Sequence, residues 1–114
     1  MKHLIIHKSC INEDLNRDSE EPYLMLLNKK QRRRLLAAKK IIEDVIEEGK
    51  MNQKDVTDYW CGEATKVDKL FETGDKVMLY GAYINNCLEK ARQVLEEEKG
   101  VSVEYHPIGC VKCY

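Results

Sequence analysis

The sequence predicts a small doubly wound, three-layer α/β domain with about four mainly parallel strands and helices on both faces. Three observations predict it. Short apolar runs alternate with segments of helical periodicity in the order strand, helix, strand, helix, strand, helix, strand. Each connection is long enough to hold a helix, which implies parallel neighbours. Residues 3–7 (His-Leu-Ile-Ile-His) and 77–80 (Val-Met-Leu-Tyr) are the most apolar runs, as expected of central strands buried on both faces.

The chain of 114 residues reads as a single domain, 1–114, with enough apolar residues for one core. A composition of 43% hydrophobic and 34% charged residues is globular rather than disordered. The net charge of −1 gives no general pull toward nucleic acid or a membrane. Near the start the only apolar run is Leu4-Ile5-Ile6, too short for a signal peptide or a span, so the chain reads as cytoplasmic. Five cysteines, an odd count without an export signal, argue against a disulfide framework.

In order, residues 3–7 predict a strand and Lys8-Ser9-Cys10 the loop that leaves it. Residues 11–21 are acidic and predict a mobile loop, and Ser19-Glu20-Glu21-Pro22 resembles a helix start. Residues 29–50 form the clearest helix, with Leu35, Ala38, Ile41, Ile42, Val45 and Ile46 on one face and Gly49 as its stop. Its basic run, residues 29–34, and its acidic last turn oppose the helix dipole. Either the helix begins earlier, near Ser19, or the basic run faces an anionic partner; Lys39–Glu43 and Lys40–Asp44 pairs suit a solvated face. Residues 55–61 have strand composition, and Val67, Leu70 and Phe71 mark a short helix behind a Thr65 cap. The strand 77–80 follows, then a helix 87–99 buried through Leu88, Ala91, Val94 and Leu95, a strand 101–106, and a short cysteine-bearing tail 107–114.

In parallel sheets ligands bind beyond the carboxyl ends of the strands. On this topology all five cysteines, with His7 and His106, gather at that edge, which predicts a small-molecule site there. Cys87 is its leading nucleophile. With Asn86 as cap and Glu89 at capping-box spacing, the thiol opens a helix, where the dipole and free N–H groups stabilise a thiolate. The N–H groups from Asn86 to Leu88 are candidate donors to an oxyanion or other anion. Packing of Cys87 against Ala91 and Val94 is the structural alternative.

Gly81-Ala-Tyr-Ile-Asn-Asn-Cys87, followed by an amphipathic helix and a strand, resembles the nucleophile region of isochorismatase-like cysteine hydrolases across about residues 67–105. The resemblance implies a doubly wound α/β hydrolase of amides or vinyl ethers that uses a Cys with an Asp and a Lys. His7 stands at the family's Asp position, Ile84 replaces its usual Thr, and Lys54 and Lys66 lie near its lysine. The expectation is thus a hydrolase with Cys87 as nucleophile and His7 as base, or a degenerate, inactive relative.

A second constellation is His106-Pro-Ile-Gly-Cys110-Val-Lys-Cys113. Cys110 and Cys113 at C-x-x-C spacing with His106 offer three ligands for zinc, and Cys10 or His7 a fourth. The same pair suits a dithiol/disulfide couple. A third reading is a non-enzymatic interaction protein using the basic helix, although no aromatic residues interleave with residues 29–34, which disfavours nucleic acid. Homo-oligomerisation stays open.

Overall fold

The computed structural model describes residues 1–16, 28–50 and 61–112. Three strands, β1 (Lys2–Ile6), β2 (Lys76–Ala82) and β3 (Ser102–Val111), form a parallel sheet in the order β1-β2-β3. Helices α1 (Lys8–Asn16), α2 (Lys29–Glu47), α3 (Cys61–Ala64) and α4 (Cys87–Gln93) accompany them, with a 3-10 turn at Val67–Leu70 and a π turn at Val94–Glu98 that continues α4. The protein is an α/β domain.

Strand alternation sorts the core into two clusters. Leu4 and Ile6 of β1 and Val77 and Leu79 of β2 pack with Val67, Phe71, Leu88, Ala91 and Leu95. Ile5, Tyr80 and Ala82 point the other way, onto Ile11 and Leu15 of α1 and Leu35, Ala38, Ile42 and Val45 of α2. The β1–β2 register runs from Lys2 opposite Val77 to Ile6 opposite Gly81. Truncating a fully buried side chain such as Leu35, Ile42 or Leu88 to alanine costs about 2–5 kcal/mol. No helix among the described residues is long and apolar enough to cross a membrane.

Two expectations change, and two others fall largely on residues outside the described ones. The described sheet has three strands; residues 55–60 lie outside the described residues, and Cys61 begins α3. The segment after β1 is helical rather than a loop. Ile11 and Leu15 sit one helical turn apart and bury against the sheet, outweighing the polar composition around them, and the Cys10 N–H donates to the His7 carbonyl to start the helix. The expected helix start at residues 19–22 lies outside the described residues. Helix α2 starts at Lys29, capped by Asn28 and Gln31 in a reciprocal capping box with both bonds at 2.9 Å. The basic run therefore does occupy the first turns. Lys39–Glu43 and Lys40–Asp44 approach to 4.0 and 3.9 Å further along.

The second change is β3, which continues through Pro107 to Val111 instead of ending in a tail at His106. A bulge makes this feasible. Tyr105 lies opposite Leu79 and Cys110 opposite Gly81, so residues 106–109 bow out beside Tyr80. Pro107 has no N–H to satisfy, and the N–H groups of Ile108 and Gly109 donate to the His106 Nδ1 at 3.1 and 2.9 Å.

Candidate functional site

The carboxyl ends of the strands converge because β1 and β2 touch backbone to backbone at Ile6 and Gly81. Directly beyond this contact are His7 and the Ala82–Tyr83 step, whose peptide bond is cis. His7 is 1% exposed and has a φ of +55°, a conformation uncommon outside glycine. It turns the chain from β1 into α1.

From α1, the buried carboxylate of Asp14 meets the hydroxyl of Tyr83, which donates to Asp14 Oδ2. Local sequence offers no signal for this pair, because the partners are 69 positions apart. The loop from Tyr83 then closes on itself. The N–H groups of Asn86 and Leu88 donate to the Tyr83 carbonyl at 3.0 and 3.1 Å, and the Ile84 N–H donates to Val111 at 2.8 Å. The expected anion donors Asn86 and Leu88 are thus engaged with the loop's own carbonyl, and an incoming anion would compete with it. Asn86 makes no side-chain cap, and Glu89 pairs with Arg92 at 2.7 Å rather than closing a capping box.

Cys87 is the first residue of α4, as expected, and its side chain is 5% exposed in the cluster with Leu88 and Ala91. Cys10, also buried, belongs to the opposite cluster with Ile11.

Of the C-terminal constellation, His106 and Cys110 lie on opposite faces of the sheet. His106 stacks on Tyr80 with ring centroids 5.1 Å apart, on the α2 side of the sheet. Cys110 packs on the α4 side. Its Sγ donates to the Leu79 carbonyl at 3.0 Å, inside the gap that the bulge opens. Burial pushes this thiol up to about 12, outweighing the backbone N–H groups of His106 and Gly81 that favour the thiolate. A thiol so held is a poor ligand, nucleophile or redox partner at neutral pH. Nδ1 of His106 already accepts two backbone hydrogen bonds, and burial lowers the ring's affinity for a proton. Cys113 lies outside the described residues. Among the described residues no three His, Cys, Asp or Glu side chains gather as a metal site.

His3, on the same face as His106, shares a hydrogen bond of 2.6 Å between its Nδ1 and the Tyr80 hydroxyl. Burial, then Lys50 and the chain's amino terminus, lower the His3 proton affinity, and burial raises that of Tyr80. This His3–Tyr80–His106 stack is a second polar group of the molecule that the sequence does not reveal. Only the parallel register brings it together.

A cleft of about 340 Å³ opens at the β3 side of the carboxyl edge, between Arg34 and Ala37 of α2, Ile84, Pro107, Ile108 and Lys112. Comparisons of the chain with protein-family models, with curated proteins and with solved structures find no match to any of them.

Proposed function

We propose that the chain is a cytoplasmic cysteine hydrolase of the isochorismatase-like kind acting on a small molecule at the carboxyl edge of the sheet, with Cys87 as nucleophile and His7 as base. One observation carries this reading. Cys87 opens α4 beyond β2, at the edge where the neighbouring strand β1 ends and His7 follows. The backbone conformation of His7 adds support, because residues held at positive φ cluster at functional sites. The doubly wound layering with a fourth strand belongs to the same proposal, supported by the apolar clusters on both faces of the sheet.

The chemistry would run in two stages on a primary amide. His7 takes the thiol proton, Cys87 sulfur bonds to the carbonyl carbon, and the C–N bond breaks as ammonia leaves with that proton. Water then attacks the thioester with His7 as base, releasing the carboxylic acid and restoring the thiol. A degenerate relative would keep the fold and the binding edge without turnover.

The test is hydrolysis of a panel of small amides and activated esters by the protein and by Cys87→Ser. The proposal expects turnover, a covalent adduct on Cys87 by mass spectrometry, and loss of both in the variant. Turnover that survives Cys87→Ser would refute it, and a folded protein that turns over nothing would leave only the degenerate relative.

A further inference from the structure

The cleft at the β3 side is lined by residues other than Cys87. Its walls come from three separate parts of the chain: the exposed side of α2, the loop after β2, and the bulged end of β3. Two of its lining residues, Arg34 and Lys112, are cations, and none is an acid. Among the described surface cations, Lys2, Lys39, Lys40, Lys50, Lys66 and Arg92 have carboxylate partners within 4.0 Å, whereas others, such as Lys30, Lys90 and Lys99, have none. Arg34 and Lys112 have none among the described residues. Between them stand Ile84, Pro107 and Ile108, and the Ile108 side chain is half exposed although large and apolar.

Arg34 closes the basic run, residues 29–34, of α2, whose first turn contains no acid. A single negative charge compensates only one of the two unpaired cations, whereas a doubly charged head matches both, and Arg adds a planar fork suited to phosphate or carboxylate oxygens. The volume lies at the lower end of the range for small-molecule sites.

We propose that this cleft binds an organic dianion, its phosphomonoester or dicarboxylate head held between Arg34 and Lys112 and its apolar body against Ile84, Pro107 and Ile108. The site binds without covalent chemistry, because the thiol within its lining, Cys110, is engaged with the Leu79 carbonyl. It does not depend on Cys87, which is absent from the lining.

Titration calorimetry of the full chain at fixed ionic strength tests it, with phenyl phosphate and phenylmalonate as dianionic probes and benzoate as the monoanion. At least one dianion is expected to bind about tenfold more tightly than benzoate, and Arg34→Gln and Lys112→Gln each to weaken it by about tenfold. Lys30→Gln, an exposed cation outside the lining, and Cys87→Ala are expected to leave it unchanged. Preference between the two dianions identifies the head group. Absence of binding at millimolar concentration, benzoate binding as tightly as both dianions, or equal losses in Lys30→Gln and Arg34→Gln would each overturn the proposal.

Discussion

Gly81 lies so close to Ile6 that a β-carbon on it would stand 1.8 Å from the Ile6 carbonyl oxygen, and its φ of +115° is closed to other residues. This contact brings the ends of β1 and β2 together and so sets His7 beside the loop that carries Tyr83 and Cys87. Gly81→Ala is expected to destabilise the protein by more than about 3 kcal/mol, through the clash and the backbone strain together. The urea midpoint reports it. A loss below about 1 kcal/mol would show that the strand ends are free to move apart.

The bulge in β3 depends on a neutral His106. Its Nδ1 accepts from the N–H groups of Ile108 and Gly109, which a protonated ring is unable to do. Burial lowers its proton affinity in the folded chain, and burial, Lys50 and the amino terminus do the same at His3. Each ring therefore contributes stability that is complete above the ordinary histidine value of about 6.5 and is lost as the pH falls through the lowered folded value. Stability measured by urea unfolding is expected to decline from about pH 6.5 downward. His106→Asn, whose side-chain oxygen accepts from the same two N–H groups in an Asx-type turn, is expected to flatten part of that decline. His106→Ala is expected to cost about 1–3 kcal/mol at pH 7.5.

Removing the Tyr83 hydroxyl takes a donor from a carboxylate that is 6% exposed. Tyr83→Phe is expected to cost about 1–3 kcal/mol, and a double-mutant cycle with Asp14→Asn should return a coupling of at least about 0.5 kcal/mol. Additive losses would show that the pair does not tie α1 to the end of β2.

Much of the frame was legible in the sequence, and the reasons are local. Residues 3–7 and 77–80 are apolar enough to announce strands, and the periodicity of Leu35, Ala38, Ile42 and Val45 fixes the buried face of α2. Helix α1 is not legible, because Ile11 and Leu15 are the large apolar residues of a polar stretch, and they bury against α2 and β2, which are distant in sequence. The extension of β3 is hidden by Pro107, which reads as a strand end unless a bulge absorbs it. At the candidate site, the placement of Cys87 follows from strand-then-helix patterning. The separation of His106 from Cys110 does not, because strand alternation and the bulge send the two side chains to opposite faces. The cleft is equally silent, since Arg34, Ile84 and Lys112 meet only through the fold.

His7 separates a role in the reaction from a role in the fold. Asparagine tolerates positive φ, so His7→Asn is expected to keep the backbone turn into α1 and stay within about 2 kcal/mol of the parent in stability. If His7 is the base, the same variant loses about 10²–10⁴ in kcat with KM little changed. A variant that folds and keeps its kcat would remove His7 from the mechanism.

The central claim concerns the state of one thiol. Cys87 is 5% exposed, so the pH at which its alkylation rate turns, rather than the rate itself, is the informative quantity. Peptide mapping after iodoacetamide treatment, repeated from pH 5 to pH 10, measures it for each cysteine separately. The account predicts an inflection for Cys87 at least about one unit below the free-thiol value of about 8.5, with Cys110 unreactive until far higher pH. An inflection for Cys87 at or above the free-thiol value would contradict it and leave Cys87 a packed core residue.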